Sequence, residues 1–174
     1  MDQIALVERC RPIELLVLDV DGVLTDGRIT YTADGVEIKS FHVRDGSGLV
    51  LWKKLGKQVA ILTGRTSKVV DVRAKELGIP IVVQGAADKR DGLRKIFAAT
   101  GKRAEQACAI GDDLGDLPVF AACALAIAVA DACPEALAAA HHVTRTPGGR
   151  GAVREAIEFI LQAQGRWDEA IAGA

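Results

Sequence analysis

Aromatic side chains are scarce in this 174-residue chain, at 4% of the sequence. Base stacking needs such platforms, so a nucleic-acid surface is not expected. Three histidines and four cysteines, Cys10, Cys108, Cys123 and Cys133, contain no Cys-x-x-Cys pair. That excludes a zinc cluster and a disulfide framework, and the thiols read as small buried hydrophobes. Charge of neither sign dominates: the formal net charge is -1 and the basic residues are scattered, which argues against nucleic acid and anionic membrane as partners. No window is apolar enough to span a bilayer, and residues 1–11 carry acids without a long apolar core, so neither a membrane span nor a signal peptide is expected. The expected location is the cytoplasm.

What is present is a regular alternation of short apolar runs and helical patterns. Residues 1–10 read as a short helix, and Leu15 to Leu18 as a strand buried on both faces. Arg28 to Tyr31 and Val36 to Val43 flank Asp34-Gly35 as a β-hairpin, so residues 28–43 form a small insertion. A helix then runs from Asp45 to Leu55. Strands are expected at Val59 to Leu62, Ile79 to Val83, Ala107 to Ile110, Ala124 to Val129 and His142 to Thr144. Helices are expected at Ser67 to Leu77, Lys89 to Thr100, Leu117 to Ala122, from Pro134, and at Gly151 to Gln162. The pattern predicts an α/β fold, a doubly wound parallel sheet forming one domain over residues 1–174, with residues 165–174 as a flexible tail.

The first strand ends in acid. Asp19 and Asp21 alternate onto one side and Gly22 lets the backbone turn away, at the carboxyl end of a central strand where open α/β sheets place ligands. The other strands also end in polar residues: Thr63, then Lys89 at a helix start, then Asp112, Asp113 and Asp116. Convergence of these ends gathers several carboxylates that require a hard cation, for which Mg²⁺ is the natural choice. A carboxylate so placed can accept a phosphoryl group, a second can carry protons, Thr63 and a helix N-terminus can hold phosphate, and Lys89 can neutralise charge.

The set Asp19-Val20-Asp21-Gly22-Val23, Thr63-Gly64-Arg65, Lys89 and Gly111-Asp112-Asp113-Leu114-Gly115-Asp116 resembles the haloacid dehalogenase superfamily over almost the whole chain. The resemblance implies that its Rossmann-like core is present, that Asp19 is the nucleophile, that Asp21 is the general acid and base, and that Mg²⁺ is held by Asp19, the main-chain carbonyl of Asp21 and Asp112. Asp113 and Asp116 are left as orienting groups. The gaps between Asp21, Thr63 and Lys89 hold too little chain for a cap domain, and an open site of this kind accepts a large substrate or borrows walls from a neighbour.

Ser40 to Gly46, with Gly148 to Glu155 and Leu161 to Gly165, is similar to the capless 3-deoxy-D-manno-octulosonate 8-phosphate phosphatase family of lipopolysaccharide biosynthesis. That resemblance implies a small phosphorylated sugar acid as substrate, lined by Asp21, His42, Val43, Arg44, Asp45, Gly46, Arg65, Arg73 and Lys89. It implies a homotetramer whose hairpins meet at its centre and whose C-terminal segment lies near a neighbouring active site. Val50 departs from a basic residue in relatives, and His141 and His142 carry no assignment. Two alternatives stand beside this reading. One is a phosphatase for a nine-carbon sugar acid. The other is a receiver-type signalling domain, whose acids and threonine come in a different order.

Overall fold

The computed structural model describes residues 3–172. Helix α1 (Gln3–Cys10) leads into strand β1 (Leu15–Leu18), followed by the short pair β2 (Thr30–Tyr31) and β3 (Glu37–Ile38). Helix α2 (Val43–Lys54), strand β4 (Gln58–Leu62), helix α3 (Lys68–Glu76), strand β5 (Ile81–Val83) and helix α4 (Lys89–Thr100) come next. Strand β6 (Ala107–Gly111), helix α5 (Leu117–Ala122), strand β7 (Leu125–Ala128), helix α6 (Pro134–Ala139), strand β8 (His142–Val143) and helices α7 (Ala152–Ala163) and α8 (Trp167–Ile171) complete the chain.

Six strands form one parallel sheet in the order β5-β4-β1-β6-β7-β8. Burial on both faces explains the unbroken apolar run of β1, all four residues of which are buried. Helices α1, α2, α7 and α8 pack together on one face, while α4, α5 and α6 cover the other. Trp52 of α2 is fully buried and its indole N–H donates to the Gln58 carbonyl at 2.9 Å. Strand order reverses at β1, whose successor β4 lies on one side and whose other neighbour β6 lies on the opposite side. This is the point where the carboxyl ends of an open sheet leave a crevice.

The parallel sheet with a small β-pair agrees with the sequence reading; the boundaries differ in instructive ways. The hairpin is much shorter than expected, pairing only Thr30 with Ile38 and Tyr31 with Glu37. Helix α2 begins at Val43, not Asp45, because His42 caps it: His42 Nδ1 accepts from the Arg44 N–H. Strand β5 starts after Pro80, which has no N–H for the ladder. The expected loose tail from residue 165 is instead helical through α8, with Ala170 buried and the Arg154 guanidinium over the Trp167 ring. Residues 1–2 of the expected first helix and 173–174 of the expected tail lie outside the described residues. All four cysteines are free, three of them buried.

Candidate active site

Asp19 directly follows β1, and three successive N–H groups, of Val23, Leu24 and Thr25, fold back onto the Val20 carbonyl. This tight turn holds the acid at the rim. Gly22, at φ 97°, is required here because a side chain would overlap the Asp112 carboxylate. From β6, Gly111 is equally constrained, since a Cβ would overlap Asp116. Asp116 folds back so that its Oδ2 accepts from the N–H groups of Asp112 (3.0 Å) and Asp113 (3.2 Å). Its Oδ1 accepts from Lys89 Nζ at 2.7 Å.

Lys89 also stands 3.0 Å from Asp19 Oδ1. Asp19, Asp112 and Asp116 offer oxygens within 4.8 Å of one another. Asp112 Oδ1 is buried and lacks a hydrogen-bond partner, and the buried Asp19 Oδ1 is met by the Lys89 ammonium. Buried carboxylate oxygens without donors are costly, and a hard cation satisfies them with the donor type it prefers. Asp116 differs, because both of its oxygens are already engaged. It reads as the group that shapes the loop and pairs Lys89.

Electrostatics agree with this strain. Burial, opposed by Lys89 and reinforced by Asp116, pushes the Asp19 carboxyl up to about 6. Burial, with Asp19, Asp116 and Asp113 adding repulsion, pushes Asp112 up to about 7. Lys89 is raised despite its burial, because Asp19 and Asp116 favour its cation. Between the ordinary carboxyl range and about pH 6, the metal-free folded chain keeps a proton on Asp19 that the unfolded chain has released. Stability from this group is therefore full below about pH 4 and drains as pH rises through 6. Compared with Asp19→Asn in chelator, the parent is expected to lose on the order of 2 kcal/mol between pH 4 and pH 8. Parallel urea melts of the two proteins measure it, and a constant difference across that range contradicts it.

Asp21 turns toward the hairpin. One of its oxygens meets Lys39 and the other lies 3.6 Å from Arg65 Nε. Arg65 and Lys39 are both bound by Glu37, which also accepts from the Ser67 hydroxyl at the start of α3. Hydrogen bonds from Ser67 and Arg65 hold the Glu37 carboxyl below its usual range, Lys39 adding to them. Thr63, almost wholly buried, ends β4, and its carbonyl accepts from Ala86 N–H at 3.1 Å.

Other expected residues lie elsewhere. Asp45 is buried and its oxygens accept from the N–H groups of Gly151 (3.2 Å) and Arg154 (2.8 Å). Within the chain its carboxylate anchors the start of α7, apart from the acids gathered around Asp19. Val43, Gly46 and Arg73 line a mainly apolar groove of about 460 Å³ with Val50 and Ile171, and none of the clustered acids lines it. Arg73 lies 5.6 Å from the Phe41 ring centroid and pairs with Glu76 at 2.8 Å. Arg44 lines a separate polar cleft with Arg150 and Gly151. His141 Nδ1 accepts from the Ala126 N–H and His142 stacks on Phe159, so both serve packing.

One contributor escaped the sequence reading, and another has a contact that the reading did not foresee. Glu37 of β3 and Lys39, just past its end, are two apart in extended chain and fall on one side, a signal that could have been read as a charged face turned toward the acids. The Gly148-Gly149 loop, expected near a neighbouring copy's site, lies against the turn after Asp19 in its own chain, with the Gly149 N–H donating to the Val23 carbonyl at 2.9 Å. Asp131 holds it through the Gly148 N–H at 2.8 Å. Only folding reveals that contact.

The family profile described as haloacid dehalogenase-like hydrolase matches residues 81–157. The chain is 45% identical over 159 residues to the 3-deoxy-D-manno-octulosonate 8-phosphate phosphatase of Haemophilus influenzae, covering 91% of this chain and 88% of that one. It is 46% identical over 165 residues to the phosphatase of that name from Yersinia pestis, covering 95% and 88%. Among solved structures, the phosphatase of that name from Moraxella catarrhalis, in complex with magnesium ion, phosphate ion and KDO, superposes with a TM-score of 0.95. Its identity is 41%, over 99% of each chain.

Proposed function

This chain belongs to the 3-deoxy-D-manno-octulosonate 8-phosphate phosphatase family of haloacid dehalogenase-like hydrolases, and from that premise we propose that it hydrolyses this eight-carbon sugar acid phosphate to the free acid and inorganic phosphate. The observation that carries the reading is a pair of buried carboxylate oxygens, Asp112 Oδ1 without a hydrogen-bond partner and Asp19 Oδ1 3.0 Å from Lys89 Nζ. They fit Mg²⁺, which Asp19, Asp112 and the Asp21 main-chain carbonyl would hold. When bound, the ion supplies charge neutralisation on phosphate and nucleophile.

The remaining work falls to side chains. An Asp19 oxygen attacks phosphorus and the bond to the sugar oxygen breaks, its electron pair leaving with that oxygen, which takes a proton from Asp21. Asp21 then accepts a proton from water as the water oxygen attacks phosphorus and the bond to Asp19 breaks, restoring the carboxylate. Lys89, already paired with Asp19 and Asp116, neutralises the charge that builds on the transferred group. Thr63 and the N–H groups after it hold the phosphate. Arg65, paired with Glu37 beside Asp21, is 41% exposed, so its guanidinium can also meet the sugar acid.

The active unit in this reading is a homotetramer. Its support is the hairpin, whose Glu37 and Lys39 face the chain's own site while Tyr31 (57%), Val36 (60%) and Ile38 (46%) are exposed. Apolar residues exposed on an otherwise charged hairpin suit contact with other copies. His42, Val43, Arg44, Gly46 and Arg73, which do not border the acidic cluster, would then serve a site completed between copies, with the C-terminal segment of one reaching the next. The free, buried cysteines suit a reducing cytoplasm.

The test is phosphate release with Mg²⁺ from the eight-carbon substrate beside a panel that includes a nine-carbon sugar acid phosphate. The expected result is a strong preference for the eight-carbon acid, abolished by chelator. Preference for the nine-carbon acid would replace the substrate, and a lasting phosphoprotein without release would replace the reaction. A monomer by light scattering under assay conditions would remove the assembly.

A further inference from the structure

Lys39 is a charged residue placed where only a strong reason would put it. Its side chain is 1% exposed, yet it directly follows β3, the second strand of a largely exposed hairpin. Burying an ammonium is costly unless acids meet it. Here two do: the Asp21 carboxylate, and Glu37 at 3.5 Å. Glu37 in turn is fixed by Arg65 at 3.1 Å and by the Ser67 hydroxyl. The second oxygen of Asp21 faces Arg65 Nε at 3.6 Å. Asp21 is thus held by a frame that begins in the hairpin and ends at the start of α3.

We propose that Lys39 is the positioning residue for Asp21: through Glu37, Arg65 and Ser67 it fixes the carboxyl group that exchanges protons with the leaving oxygen and the attacking water. The proposal rests on the reading of Asp21 as general acid and base. Lys39 does not touch substrate, because its side chain is enclosed by these acids. The hairpin therefore carries an internal function distinct from its exposed apolar face. A chain without a cap domain uses a hairpin residue to hold the proton carrier in register with the nucleophile two residues before it. The steps are unchanged: the phosphorus–oxygen bond breaks, its electron pair stays with the sugar oxygen, and the proton from Asp21 neutralises that oxygen. What Lys39 contributes is the place from which the proton comes.

A purely structural lysine and a positioning lysine are told apart by the leaving group. An alkyl phosphate needs a proton as its bond breaks; p-nitrophenyl phosphate expels a phenolate that needs none. Lys39→Met keeps the length of the side chain and removes its charge. In single-turnover quench experiments on the full chain with Mg²⁺, release of the sugar acid is expected to slow about 10- to 100-fold, the range in which a misplaced general acid acts. Release of p-nitrophenolate should slow less than about threefold, and Lys39→Arg should recover most of the alkyl rate. Equal slowing of both esters, or of neither, overturns the proposal. If Lys39→Met does not fold, Glu37→Gln leaves Lys39 in place and loosens it, and the same asymmetry at smaller size is expected, its absence counting equally against the idea. Should the parent ignore the eight-carbon substrate but cleave another alkyl phosphate, the substrate reading fails and the Lys39 comparison proceeds on that ester. A parent inert toward all esters overturns both.

Discussion

Asp19→Asn is expected to release no measurable phosphate, a loss of at least about 10⁴-fold, while the chain remains folded. The amide is the same size as the carboxyl and sits at the same strand end, but it cannot form the acyl phosphate through which turnover is proposed to run. Removing a nucleophile from a constellation that works as a unit costs orders of magnitude more than removing a binding contact. The fold has reason to tolerate the change: Asp19 is nine-tenths buried among acids that raise its pKa to about 6, so at pH 8 its charge is a burden that the amide lacks. Lys89 keeps its bond to Asp116 at 2.7 Å and stays paired. Acid-quenched protein from radiolabelled substrate should carry label in the parent and none in the variant. Residual turnover above about 1% of the parent would mean that another group attacks phosphorus.

Gly148→Ala should be the most damaging single methyl in the chain. An added Cβ at this position would overlap the Gly22 carbonyl oxygen, and backbone cannot move aside as a flexible side chain can. The Gly148-Gly149 loop would have to lift, breaking the hydrogen bond from the Gly149 N–H to the Val23 carbonyl and the one from the Gly148 N–H to Asp131. The first of these bonds holds the turn that follows Asp19. Overpacking and two lost hydrogen bonds together predict destabilisation of about 3 kcal/mol or more and a fall in activity beyond it. Gly35→Ala is the control, since nothing lies within 4 Å of its missing Cβ and only its φ of 77° opposes a side chain. That change should cost about 1 kcal/mol and leave turnover intact. Thermal melts and initial rates on both variants measure the difference; equal behaviour would show that the glycine loop does not buttress the catalytic turn.

Much of the site was legible before folding because the information is local. Leu15 to Leu18 is apolar on every position, so it must lie inside a sheet covered on both faces, and whatever follows such a strand must sit at the rim. Asp19, Thr63 and Asp112 each follow a strand of that sheet and Lys89 begins a helix, and the meeting of Asp19, Asp112 and Lys89 follows from strands running parallel. Less was legible where a residue's contacts are set by a distant partner. Asp45 has the composition of a site residue, but its partners are the N–H groups of Gly151 and Arg154, more than a hundred positions away. The tail after Gly165 has little pattern of its own, and α8 forms against a surface supplied by α2 and α7.

The sequence by itself therefore determined the parallel α/β sheet, the absence of room for a cap, and the identity of the acids and lysine, Asp19, Asp112, Asp116 and Lys89, that gather at the strand ends. Each is written in periodicity or in element boundaries, which need no knowledge of what lies across the molecule. Tertiary structure alone decided that Asp116 folds back onto Lys89 and its own loop, that Lys39 is drawn out of an exposed hairpin to meet Asp21, and that a glycine loop near the C-terminus braces the turn after the nucleophile. Those arrangements arise because buried charges and backbone groups must find partners, and packing rather than sequence distance determines which partners are within reach.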